Sequence, residues 1–254
     1  MTVQTAAPLR TLAAGATAQV ALLAVLTLVT GLGMWGWLAA IAFGVTGATA
    51  LAAGLRRSVR RGFGPADLVT LARAILVGGV TALVVDSVRA PASIPVLVAV
   101  TGFALALDAV DGQVARRTGT VSALGARFDM EVDAFLILVL SAYVATSLGP
   151  WVLLIGGMRY GFVAAGRVLT WLNAALPSSI MRKTVAAAQG IVLAVVASGL
   201  LPAGAAVAMT GLALAALIWS FGQDVRWLHR NRVVATVVHP TPRMPATLAM
   251  ELAA

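Results

Sequence analysis

Residues 108–133, DAVDGQVARRTGTVSALGARFDMEVD, form the most crowded polar stretch of an otherwise apolar chain. Asp108 and Asp111 are three residues apart, and Asp129 and Asp133 are four apart, so on a helix each pair shares a face. We expect a short basic turn that contains RRTGTVS, residues 116–122, to join the two helices. We therefore expect two antiparallel helices whose ends bring four carboxylates together.

The composition places these helices in a membrane. The chain has 254 residues, of which 60% are hydrophobic and 11% charged, and its mean hydropathy is +0.97. A soluble domain carries about a quarter charged residues. The formal net charge of +9 comes mainly from arginines in short connections between apolar runs, as expected of cytoplasmic membrane loops, so it does not indicate nucleic-acid binding. The chain has no cysteine, which excludes disulfides and thiolate chemistry.

The apolar runs predict an all-α, polytopic transmembrane helical bundle. Each run is close to the roughly 20 residues that cross a bilayer. The predicted spans are 15–33, 35–54, 67–86, 93–111, 125–147, 151–175, 184–201 and 203–221. The densest basic cluster, at 56–61, lies between the second and third spans and should be cytoplasmic. This orientation puts the carboxylates at the cytoplasmic face of a multi-pass protein of the cytoplasmic membrane.

Four neighbouring carboxylates at a membrane boundary need cations, because they otherwise repel one another and resist ionisation. Oxygen ligands without nearby histidine or cysteine favour Mg²⁺ or Mn²⁺ over Zn²⁺. Four aspartate charges match two divalent cations. A site with two such ions is typical of phosphoryl chemistry, in which the ions stabilise charge on phosphate oxygens.

The same stretch resembles a known family signature. The pattern Asp-x2-Asp-Gly-x2-Ala-Arg-x8-Gly-x3-Asp-x3-Asp, from Asp108 to Asp133, is similar to that of the CDP-alcohol phosphotransferases, membrane enzymes that make phospholipids. Every fixed position is present at the family spacing. The resemblance covers roughly 64–222. It implies a six-helix core at 63–222, preceded at 1–62 by two extra transmembrane helices and a basic loop, and followed at 223–254 by a basic, partly disordered cytoplasmic tail.

The resemblance also implies roles for individual residues. Asp108, Asp111, Asp129 and Asp133 would hold two metal ions, and Asp133 would also act as general base. The nucleotide-binding positions implied by the signature are Gly112, Ala115, Arg116 and Gly125. In the implied reaction an alcohol attacks the distal phosphorus of the CDP-alcohol, and CMP leaves.

The segment GPADLVTLARAIL, residues 64–76, resembles the family's entry into its first core helix. Thr70 and Arg73 lie at matching places, and Asp67 stands where asparagine is more usual. Asp67 and Thr70 are therefore further candidates for nucleotide binding, and Arg73, three residues after Thr70, could face the nucleotide as well. The alternative is that Asp67 caps the helix and Arg73 is an ordinary arginine near a membrane boundary.

Four basic residues are candidates for binding the acceptor's phosphate. Arg159 and Arg167 lie within the sixth predicted span, where an arginine is costly and usually faces a polar cavity. Arg182 and Lys183 lie at the cytoplasmic entrance of the seventh. In related enzymes basic residues of this region receive a phosphorylated acceptor, although positive-inside anchoring also explains Arg182 and Lys183.

We therefore expect a transferase that moves a phosphatidyl group from CDP-diacylglycerol or a similar CDP-alcohol to a small polar alcohol or polyol phosphate. The expected partners are that donor lipid, the acceptor, membrane lipids and a second copy of the chain, since homodimers are common in the family. Acceptors known for relatives include glycerol 3-phosphate, inositol phosphate, serine and phosphatidylglycerol, and the signature does not choose among them. The alternatives are a cation or proton transporter that uses intramembrane carboxylates and a catalytically silent family member.

Overall fold

The computed structural model describes residues 8–57, 64–91, 93–118, 123–174, 176–177 and 179–237. These residues form eight α-helices, and no strand occurs among them. The helices are α1 (Pro8–Thr30), α2 (Met34–Arg57), α3 (Pro65–Asp86), α4 (Ile94–Thr118), α5 (Ala123–Leu148), α6 (Leu153–Val168), α7 (Ile180–Ala197) and α8 (Ala203–Val237). Short 3-10 turns lie at Pro150–Val152 and Thr170–Asn173. The prediction of an all-α bundle is confirmed.

Six of these helices are long and apolar enough to cross a membrane, namely α1, α2, α3, α5, α7 and α8. The apolar part of α4 is shorter, at Ile94–Val110, because aspartates occupy the part that follows. With 16 residues, α6 is about 24 Å long, less than the roughly 30 Å of the hydrocarbon core. The chain is thus a multi-pass membrane protein in which two of the eight predicted spans are short.

The prediction that residues 151–175 form a single helix is wrong. The α-helix ends at Val168 and is followed by the 3-10 turn. The Asn173 side-chain amide donates a hydrogen bond of 2.8 Å to the carbonyl of Gly166, which would otherwise accept from the next turn of an α-helix. The seventh helix begins at Ile180, so Arg182 and Lys183 lie inside its first turn.

The last helix is longer than predicted. The hydropathy pattern predicts that the eighth span ends at about 221. Instead α8 continues without a break to Val237. Residues 238–254, which include the rest of the predicted tail, lie outside the described residues.

Helix α3 lies at the centre and packs against α1, α2, α4 and α5. Glycines allow the close approach of the two N-terminal helices. A Cβ on Gly36 of α2 would lie 2.8 Å from the carbonyl oxygen of Ala82, and one on Gly78 of α3 would lie 2.7 Å from the Gln19 amide of α1. The first two helices therefore cover α3 directly, which leaves its opposite side to α4 and α5.

Candidate functional site

Three aspartates converge where α4 and α5 pack against α3. Asp108 lies on α4, and Asp129 and Asp133 lie one turn apart on α5. One carboxylate oxygen from each lies within 4.8 Å of the others. The side chains are 32–39% exposed, so the cluster is partly enclosed but open to small molecules. The sequence pattern predicts that four aspartates meet here; three of them do, and the side chain of Asp111 lies outside the described residues.

A buried arginine from α3 contacts all three carboxylates. The Arg73 residue is 0% exposed. Its Nη1 atom lies 2.5 Å from Asp108 Oδ1, and its Nη2 atom lies 2.6 Å from Asp129 Oδ1 and 2.8 Å from Asp133 Oδ1. Nη2 also donates to the backbone carbonyl of Asp129 at 3.2 Å. A single guanidinium thus joins three helices.

The cluster has the chemistry of a site for a hard divalent cation. Its donors are carboxylate oxygens, which Mg²⁺ and Mn²⁺ prefer, and several lie close enough to share one ion. Each of the three carboxylates has an oxygen in contact with the Arg73 guanidinium, so the cluster already attracts positive charge. The residues present therefore fit a divalent metal.

The remaining signature residues lie at the facing ends of the same two helices. The last part of α4 contains four of them, of which the structure describes only the backbone: Asp111, Gly112, Ala115 and Arg116. Gly125 is half-buried in the first turn of α5. Their roles as metal and nucleotide ligands stay predictions.

The entry to α3 combines a helix cap with buried polar groups. Asp67 accepts a hydrogen bond of 2.7 Å from the backbone N–H of Gly64, so it stabilises the first turn of the helix. Thr70 is buried one turn before Arg73. The capping alternative for Asp67 is thus observed, and nucleotide binding by Asp67 and Thr70 stays a prediction.

The candidate acceptor residue Arg159 is paired away from the aspartate cluster. Its Nη2 atom lies 2.5 Å from Glu131 Oε1. Glu131 is two residues from both Asp129 and Asp133, so on α5 it points about 160° away from them. Arg167, the other candidate on α6, is exposed in the last turn of that helix. The structure does not bring either arginine into contact with the cluster.

The candidate acceptor residue Arg182 joins α7 to α8. Its Nη1 atom lies 2.7 Å from Asp224 Oδ1, and its Nη2 atom donates to the carbonyl of Pro177 at 2.5 Å. Lys183 is exposed and forms no ion pair within the part of the chain that the structure describes. Of these two residues, therefore, only Lys183 has a charge that takes part in none of the described ion pairs.

Two residues of these contacts are not assigned to them by the sequence. The resemblance suggests that Arg73 faces the nucleotide, but not that it contacts the aspartates; charge balance is the available signal, because four close carboxylates require cations and a span that reaches them carries an arginine. Asp224 falls in the predicted tail, 223–254. Only the continuation of α8 brings it to Arg182.

The fold and the site together define a polytopic membrane protein with an acidic cluster, able to hold a metal ion, where two neighbouring helices pack against a third. The family model for CDP-alcohol phosphatidyltransferase matches residues 64–220, which is more than half of the chain. The chain belongs to that family, as the signature predicted. No curated protein and no solved structure matches the sequence significantly.

Proposed function

We propose that the protein is an integral membrane CDP-alcohol phosphotransferase of phospholipid biosynthesis. It transfers a phosphatidyl group from CDP-diacylglycerol or a similar CDP-alcohol to an alcohol or polyol phosphate, with release of CMP. The main support is the convergence of Asp108, Asp129 and Asp133 within the segment that matches the family model. Family membership supports a transferase, and the acidic cluster supports a metal-dependent one.

The proposed mechanism assigns two functions to the aspartates. Asp108, Asp111, Asp129 and Asp133 would hold two Mg²⁺ or Mn²⁺ ions, which when bound supply positive charge to the donor's diphosphate. Asp133 accepts the proton of the attacking hydroxyl as the acceptor oxygen bonds to the distal phosphorus. The bond from that phosphorus to the CMP oxygen breaks, and CMP leaves with the bonding electrons. Gly112, Ala115, Arg116, Gly125, Asp67 and Thr70 bind the nucleotide in this proposal.

The membrane location supports a lipid donor. The carboxylates are partly exposed within a bundle of apolar helices, so a lipid can reach them from the bilayer while the acceptor and CMP exchange with water. We place this site at the cytoplasmic face of the cytoplasmic membrane on the basis of the arginine-rich loop at 56–61. A homodimer, which the family resemblance implies, stays a prediction.

The decisive experiment measures CMP release by the purified protein from CDP-diacylglycerol with Mn²⁺ and an acceptor. We expect Asp133→Asn to lower turnover by about 10²–10⁴-fold, because the base is lost. Asp86→Asn is the control, since Asp86 lies at the opposite end of α3, where its side chain accepts a hydrogen bond from the backbone N–H of Gly33. No CMP from any acceptor, or full turnover by Asp133→Asn, would contradict the proposed function.

The acceptor is identified by the same assay with a panel of free and phosphorylated alcohols. If Arg159, Arg167, Arg182 and Lys183 bind an acceptor phosphate, Arg159→Ala and Arg182→Ala will raise KM for phosphorylated acceptors alone. An equal change for uncharged alcohols would instead assign these arginines to their pairs with Glu131 and Asp224.

A transporter function has less support. It predicts carboxylates in broken helices near the middle of the membrane. Here α4 and α5 are continuous at Asp108, Asp129 and Asp133. A catalytically silent member is also disfavoured, because every signature position is present.

A further inference from the structure

Arg73 differs from every other charged residue in the described part of the chain, because it alone is fully buried. An arginine keeps its charge inside a protein, and burial of that charge is tolerated only when acidic groups surround it. Here those groups are Asp108, Asp129 and Asp133, which come from two other helices. The carboxylates proposed to hold metal therefore offset the free-energy cost of burying the Arg73 charge.

The guanidinium and a metal ion would need the same oxygen atoms. Arg73 contacts Oδ1 of each of the three aspartates, at 2.5–2.8 Å. These three residues also form the described group whose oxygens are close enough to share an ion. A divalent cation carries a higher charge, but it has to enter a place where a positive charge already lies.

The described contacts of the Arg73 side chain are made by the outer nitrogens of its guanidinium. Nη1 and Nη2 contact the aspartates, while Nε has no hydrogen-bond partner among the described residues. The packing of α3 depends on other residues, such as the buried Ala74 and Val77. A competing cation would therefore have to replace only the contacts of Nη1 and Nη2.

We propose that Arg73 is the resident cation of the metal-free cluster. It keeps the three carboxylates together before metal arrives, and metal binding displaces its contacts with them. Arg73 thus acts as a positioning residue that weakens metal affinity in exchange for a preformed site. This inference rests on the metal site of the proposed function, but it concerns metal binding and not the transfer reaction.

The test measures Mn²⁺ binding to the purified protein without substrate, from the electron paramagnetic resonance signal of free Mn²⁺. Arg73→Gln removes the competing charge, so we expect affinity to rise by about tenfold or more. Arg73→Lys keeps a charge that cannot reach three carboxylates at once, so its affinity should be intermediate. Arg89→Gln is the matched control: it removes the same charge from an arginine that packs over Trp35 beyond the far end of α3, and it should leave affinity unchanged.

Thermal unfolding gives a second readout. In EDTA, Arg73→Gln should unfold at a lower temperature than the native chain, because three facing carboxylates lose their cation. Added Mn²⁺ should then raise its midpoint by more than it raises that of the native chain. If Arg73→Gln does not fold in EDTA, folding rescued by Mn²⁺ supports the proposal, and Arg73→Lys supplies the affinity comparison.

Unchanged or weaker Mn²⁺ binding by Arg73→Gln would overturn the proposal and leave Arg73 a structural residue. If neither the native chain nor the variant binds Mn²⁺, both this inference and the metal site of the proposed function fail. Tighter binding by the variant in a protein that releases no CMP would support the role of Arg73 while contradicting the transferase function.

Discussion

At the scale of single residues, the spacing of the aspartates predicts that they come together, but it does not predict which cation they contact. Helix geometry places Asp129 and Asp133, four residues apart, on one face of α5. The structure brings Asp108 of α4 to the same place. The contact with Arg73 depends on how α3 is placed against α4 and α5, which no local pattern encodes. The physical rule that links Arg73 to the aspartates is charge balance, because carboxylates within a membrane bundle need a cation nearby.

Asp67 gives a residue-scale prediction, because its carboxylate accepts from Gly64 N–H at the positive end of α3. Asp67→Ala should lower the free energy of unfolding by about 0.5–1 kcal/mol, since the cap and its charge are both lost. Asp67→Asn, the residue more usual in the family, should cost less because an oxygen acceptor remains. Thermal unfolding in detergent measures both. A raised KM for the lipid donor with an unchanged midpoint would instead assign Asp67 to nucleotide binding alone.

At the scale of elements, hydropathy locates the helices well and their ends poorly. The run from 151 to 175 is apolar enough to predict one span, yet Asn173 folds back onto Gly166 and ends α6 early. Beyond 221 hydropathy falls, but residues 223–237 contain no proline or glycine to stop a helix, and α8 continues. Helix ends depend on caps and breakers, which an apolar pattern does not report.

The contact between α5 and α6 gives an element-scale prediction with an internal control. A Cβ on Gly156 would lie 2.4 Å from the Cα of Leu138, so Gly156→Ala must push α6 away from α5. We expect a loss of about 1–3 kcal/mol in the free energy of unfolding.

The neighbouring Gly157 has open space at its Cβ position. Gly157→Ala should therefore be neutral or stabilising, by up to about 1 kcal/mol, because alanine favours the helix. Both variants are compared by thermal unfolding in the same detergent. Equal effects of the two substitutions would mean that α6 does not pack on α5 as closely as described.

At the scale of the whole molecule, the arginine distribution predicts an orientation for the bundle. If all eight helices cross the membrane, the α3–α4 connection lies outside and the α6–α7 connection lies inside. The location of the α6–α7 connection is the stricter test, because α6 is shorter than the hydrocarbon core that it would have to cross.

The absence of native cysteine allows a direct topology experiment. Ala90→Cys and Ala174→Cys place single thiols at exposed positions in these two connections. In intact cells a membrane-impermeant maleimide should label only the cysteine at position 90, and in inverted vesicles only that at position 174. Labelling of both from the same side would show that not all of α4, α5 and α6 cross, and would require a new orientation for the helices that follow.

The length of α8 has a further consequence. Its 35 residues extend about 52 Å, well beyond the roughly 30 Å of the hydrocarbon core. On the proposed orientation the excess projects into the cytoplasm, where it carries exposed Arg226 and Arg230. Both the nucleotide-bearing donor and a phosphorylated acceptor are anions, so this helix end would raise their local concentration and speed their encounter with the enzyme, an effect that added salt suppresses.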